Sequence, residues 1–213
     1  MTVGLIGIAL VSLGMVLTPG PNMIYLVSRS ITQGRRSGLI SLSGVFLGFA
    51  TYLTATCLGL TAVFVYVPAA YTALKVAGAA YLLWMAWNTI RPGGISAFEA
   101  RELPVERPGR LFSMGLLTCL LNPKIAILYL SLLPQFIDPS MGHVLLQSLA
   151  LGSVQVAVGT IVNGLIVLSA GALAAFLAER PVWVRVQRYV TGTVLGAFAV
   201  SMATDRSKAL VSA

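Results

Sequence analysis

Thr18-Pro19-Gly20-Pro21-Asn22 and Asn122-Pro123-Lys124 interrupt hydrophobic runs at corresponding places in the two halves of the chain. A helix embedded in lipid must bond its N–H and C=O groups internally. Proline removes one donor and presses its ring on the preceding turn, so Pro19, Pro21 and Pro123 open the ladder locally. Opened backbone at membrane depth is tolerated inside protein or along a wet cavity. Paired breaks in two repeats are the best sequence pointer to a transport site.

Composition around these breaks sets the class. The chain has 213 residues, 57% hydrophobic and only 9% charged, with a mean hydropathy of +0.90. A soluble domain carries about 25% charged residues, so this is an integral membrane protein. Its apolar runs are long and continuous, whereas a barrel would alternate polarity in short segments. The expected fold is all-α, with six transmembrane helices near 3–27, 38–61, 68–90, 111–133, 144–177 and 182–203. Each approaches or exceeds the roughly 20 residues a span needs. The net charge of +8 comes largely from basic residues in the connections, which suits a bilayer and not nucleic acid. Cys57 and Cys119 are isolated in apolar runs and read as small buried hydrophobes. No cofactor or metal is implied. The N-terminus lacks the basic region and cleavage site of a removable signal peptide.

Lys and Arg placement orients the spans. Arg29, Arg35 and Arg36 follow the first span, and Arg91, Arg101, Arg107 and Arg110 follow the third. Arg180, Arg185 and Arg188 surround the fifth connection, while the second and fourth connections hold none. The basic side belongs in the cytoplasm, which places both termini outside.

A constant shift of 104 positions aligns the halves, pairing Pro19 with Pro123, Tyr25 with Tyr129, Gly38 with Gly142 and Gly48 with Gly152. Three spans per half force the second half to cross in the opposite sense, an inverted repeat of three plus three. The single transporter domain then comprises repeat one (about 3–90), a cytoplasmic linker (about 91–110) and repeat two (about 111–203). Gly38, Gly44 and Gly48 form a face for close helix approach, and such faces also permit a homodimer.

The stretch from Leu17 through Pro19, Gly20 and Pro21 to Asn22 resembles the first-span signature of the LysE/RhtB amino-acid exporters. The resemblance continues through Gln33–Gly38, Gly44–Gly48, Leu74–Leu82, Gly115–Lys124 and Leu133–Phe136, in family order over nearly the whole chain. It implies a bacterial inner-membrane exporter of amino acids or close derivatives, generally driven by proton antiport. Many members carry an acidic residue after the second glycine of the second span, often with a histidine close behind. Here those positions are Phe49 and Tyr52, and no Asp or Glu lies inside any expected span. A cationic substrate would need a carboxylate partner, so a neutral or hydrophobic amino acid fits better. The usual proton-carrying carboxylate is missing too.

The breaks suggest what would bind such a substrate. The N–H groups opening a half-helix favour an anion, so Gly20, Asn22 and the backbone after Pro21 are expected at the substrate carboxylate. Asn122 and carbonyls before Pro123 would face the ammonium. Lys124 is the sharpest candidate, because a charge at a helix centre costs about 2.5–3.5 kcal/mol on insertion scales and is usually functional. It would bind the carboxylate or carry the coupling proton. Tyr25 and Tyr129 are substrate contacts by position. Lys75 and Tyr81 are candidate gate residues, while Gln155 and Asn163 would line the path. His143 reads as a solvated loop residue.

Two rivals remain: a metal-cation exporter and a non-transporting assembly subunit. The first wants carboxylate, imidazole or thiolate ligands that the spans lack, and the second would not need an intramembrane lysine. An enzyme would need a nucleophile with its base, or paired cysteines, and none is present.

Overall fold

The computed structural model describes residues 2–66, 68–91, 104–178 and 181–204. Among them there are helices and connecting turns and no strand. Two bent pairs replace what would otherwise be single spans. In the first, α1 (Thr2–Leu17) and α2 (Pro21–Gln33) meet at 55°. In the second, α5 (Pro108–Leu120) meets α6 (Pro123–Ile127) and the π and 3-10 turns that carry it to Phe136, at 51°. Pro21 and Pro123 each occupy the first turn of the second half, where a missing N–H is harmless and the fixed φ is preorganised.

The long helices α3 (Arg35–Tyr66) and α7 (Val144–Ala178) follow the two bent pairs, and α4 (Pro68–Ile90) and α8 (Pro181–Thr204) follow those. By length and composition, α3 and α7 would each cross a bilayer alone, and counting each bent pair as one span gives four. The remaining two expected spans fall on α4 and α8, which carry Lys75, and Arg185 with Arg188, respectively. Large apolar side chains such as Val3, Leu10, Leu58, Trp87 and Leu165 point outward, as a lipid-facing surface does.

The order bent pair, long helix, shorter helix thus occurs twice, but the constant shift does not hold. Pro21, not Pro19, stands where Pro123 stands, and Gly20 and Asn122 are the matching caps. Gly38 lies within α3, whereas its sequence partner Gly142 lies in a loop at φ +67. The reason is local: α2 enters α3 through Gly34 alone, while a π turn and two 3-10 turns intervene before α7.

Most of the extensive packing crosses between the halves, α3 on α5, α4 on α8, α3 on α7 and α1 on α7. The α3–α5 contact is the tightest. A Cβ on Gly44 would collide with the Phe112 carbonyl oxygen, and one on Gly115 with the Ser41 carbonyl oxygen. Glycine at both positions lets the two backbones touch. One apolar cluster joins Leu26, Phe49, Tyr129, Leu133 and Val167; another joins Met15, Leu82, Leu128 and Leu195.

Arg29 is not the connection residue that charge counting made it. It lies inside α2, 1% exposed, over the Tyr25 ring at 5.7 Å. Its guanidinium donates to the Pro104 carbonyl at 2.7 Å. Gln33 adds a two-way link with the Glu106 backbone, so residues 104–106 are fastened to α2. Residues 92–103 of the expected linker, including Glu99, Arg101 and Glu102, lie outside the described residues, as do Arg180, Arg206 and Lys208.

Replacing Gly115 with Leu is expected to destabilise the fold by at least about 1–3 kcal/mol, the usual cost of overpacking, because backbone cannot rotate away. A fall of several degrees in the detergent-solution Tm would register it. Gly109→Ala, with open space around its Cβ, should leave Tm unchanged.

Candidate functional site

The first break releases acceptors that the second break uses. Pro19 has no N–H, so the Met15 carbonyl four residues earlier loses its helical donor. Lys124 Nζ donates to that carbonyl at 2.8 Å and to the Thr18 carbonyl at 2.8 Å. The lysine is 4% exposed, and its ammonium sits at the negative, C-terminal end of α1. Gly20 makes room for it. A Cβ there would stand 2.9 Å from Nζ and 3.1 Å from Cε.

A chain of amides ties the two breaks together. Asn122 Oδ1 accepts from the Lys124 backbone N–H at 3.1 Å, which caps α6 and fixes the amide's orientation. Its Nδ2 then donates to Asn22 Oδ1 at 3.1 Å. Asn22 is left with a buried Nδ2 that has no hydrogen-bond partner among the described residues, with the weak acceptor Cys119 close by. Gly20 caps α2 without a side chain, so the first N–H groups of that helix stay uncapped by any side chain.

Asn22, Lys124, Gln155 and Asn163 line one cavity with Ser12, Met15, Met23, Phe49 and Leu128. About 20 Å³ is open to the centre of a water-sized sphere, enough for about one water molecule. An amino acid does not fit in this space. Tyr129 donates its hydroxyl to Gln155 Oε1 and stacks on Tyr52 at 5.6 Å. Tyr52 in turn donates to the Leu120 carbonyl at 2.8 Å, at the end of α5. Asn163 Nδ2 donates to the Gly159 carbonyl at 2.7 Å, leaving its buried Oδ1 without a partner among the described residues. Ser12 Oγ is in the same position.

A family model described as LysE type translocator matches residues 13–206. The chain belongs to the LysE family of translocators. A leucine efflux protein of Salmonella typhimurium is 26% identical over 192 residues, covering 90% of this chain and 91% of the relative. An uncharacterised membrane protein of Pseudomonas aeruginosa is 29% identical over 202 residues, covering 89% of each. The uncharacterised membrane protein YahN of Escherichia coli is 31% identical over 115 residues, about half of each chain. No solved structure matches. At the family level this LysE translocator is a multi-pass membrane transporter among the amino-acid exporters.

Of the residues singled out in the sequence of this translocator, Gly20, Asn22, Asn122, Lys124, Tyr129, Gln155 and Asn163 converge here; Pro19, Pro21 and Pro123 shape the backbone around them. Tyr25 points elsewhere, donating to the Leu111 carbonyl at 2.9 Å and accepting from Ser41. Tyr81 packs against Trp84 with the second apolar cluster. Lys75 lies on α4 with its side chain outside the described residues. Sequence reading missed Ser12 and the Met15 and Thr18 carbonyls. Pro19 was a signal for Met15, through the i−4 rule; Ser12 had none.

Asn22→Leu and Asn122→Leu should each lower stability by about 1–2 kcal/mol, from a buried amide left unpaired and, for Asn122, a lost cap. Because they share one bond, the double variant should cost less than the sum. Thermal unfolding of the four proteins in detergent measures the coupling.

Proposed function

We propose that the protein exports a neutral, apolar amino acid across the bacterial inner membrane by proton-coupled alternating access. The moving parts are two inverted repeats of three spans, about 3–90 and 111–203, joined by a cytoplasmic linker at about 91–110, with both termini outside. Twofold recurrence of bent pair, long helix and shorter helix supports the repeat. Leucine serves as the first probe substrate, from the likeness to leucine efflux proteins and from the apolar walls given by Met15, Met23, Phe49 and Leu128.

One observation carries the mechanism: the Lys124 ammonium fills the two carbonyls that the first break leaves open. A substrate offers the same kind of group. Its α-ammonium would take the Met15 and Thr18 carbonyls, while its carboxylate meets the open N-terminus of α2 beside Asn22. The two ammonium groups compete for one acceptor pair, so the carrier holds either a substrate or a protonated Lys124. Empty return with Lys124 protonated moves a proton inward for each substrate carried outward. That mutual exclusion is antiport.

Both loaded and proton-carrying forms satisfy the freed carbonyls, whereas an empty carrier lacking the lysine leaves them unbonded in the closed form. Unsatisfied polar backbone at membrane depth costs several kcal/mol. Lys124→Met in proteoliposomes should therefore abolish net leucine efflux driven by a pH gradient. Leucine–leucine exchange should persist at a rate within a few-fold of the wild type. Undiminished, pH-driven net efflux by this variant would refute the mechanism.

A further inference from the structure

The proposed exchange leaves one donor of the substrate unaccounted for. A primary ammonium carries three N–H groups, and the Met15 and Thr18 carbonyls accept only two of them. Lys124 Nζ, on the same pair of carbonyls, has the same remainder, and Asn163 Oδ1 on the wall of the same cavity is left without a partner among the described residues. A third acceptor must come from the walls if the ammonium is to be fully bonded away from water.

Asn163 on α7 offers one. It is 2% exposed, lies on the cavity with Met15, and has its orientation settled by its own hydrogen bond. Nδ2 faces the Gly159 carbonyl at 2.7 Å, and only the nitrogen of an amide can donate there. Oδ1 is then the atom left over, buried and without a partner among the described residues. Ser12 Oγ, also 2% exposed and unpartnered among those residues, lines the same cavity from α1. Gly159 and Asn163 are four residues apart and so share one face of α7. Lys124 is the charged residue on the cavity wall, and while protonated it offers no acceptor.

Resting on the exporter reading above, we propose that Asn163 Oδ1, with Ser12 Oγ on the wall of the same cavity, accepts the third N–H of the substrate. The site then selects primary α-amino acids over secondary amines. N-methylation removes one donor and places a methyl group against a buried amide oxygen. A site built to bond a polar group rejects the analogue that lacks it far more strongly than an apolar pocket rejects one methylene.

The test compares inhibition of radiolabelled leucine counterflow by unlabelled leucine and by N-methylleucine in proteoliposomes. For the wild type, N-methylleucine should compete at least about tenfold more weakly, as expected for an unpaired buried acceptor. Asn163→Leu and Asn163→Ala should bring the two inhibitors to within about twofold of each other, mainly by weakening leucine, while Asn163→Asp retains the discrimination. A wild type that treats the two inhibitors alike overturns the assignment without any variant. Discrimination that survives in a folded Asn163→Leu or Asn163→Ala protein also overturns it. Absence of any leucine counterflow in the wild type would instead remove the exporter reading, and the assignment with it.

Discussion

The two hydrogen bonds from Lys124 Nζ to the Met15 and Thr18 carbonyls, each 2.8 Å, are the contact on which the arrangement of the site depends. They join the broken point of one half to the broken point of the other. Each side would be untenable alone. Met15 offers a carbonyl that Pro19 cannot serve, and Lys124 offers a charge that lipid would not tolerate. Bonding them removes both problems in one contact, and Gly20 is the residue whose missing side chain permits it. Two amides follow in succession: the Lys124 backbone N–H orients Asn122, and Asn122 orients Asn22.

The buried lysine has no carboxylate partner among the described residues. The acidic residues there, Glu106 and Asp138, lie outside the helices, and Glu106 pairs with Arg110 at 3.2 Å. Carbonyl dipoles alone hold a cation less firmly than an ion pair does, which suits the release that the proposed exchange requires. Phe49 matters for the same reason. It puts an aromatic ring on the cavity wall, and among the described residues no negative side chain lines that wall to compete for the ammonium.

Local chemistry made the breaks and most helix bounds legible in the sequence. Proline at the first helical position and long apolar runs are signals that no tertiary context overrides. What stayed hidden depends on partners distant in the chain. Arg29 looked like a loop cation by charge alone, yet Tyr25 and the Pro104 carbonyl keep it inside. Tyr25 and Tyr129 looked equivalent; one anchors α5 while the other orients Gln155. The constant register also failed, because capping decides which proline starts a half-helix: Pro21 follows Gly20 as Pro123 follows Asn122.

That difference in caps makes the two halves unequal in what they can do. At the second break, Asn122 caps its own helix, and the Leu120 carbonyl is served by the Tyr52 hydroxyl, a neutral group held by stacking on Tyr129. Nothing there is free to exchange. At the first break, Gly20 leaves the following helix uncapped by a side chain, and the freed carbonyls are served by an ammonium on a flexible stem. A rigid phenol is a permanent satisfaction of opened backbone; a lysine is a replaceable one. In the exchange proposed above, the two halves therefore differ in chemistry: the first supplies the acceptors, and the second supplies the cation that a substrate would displace.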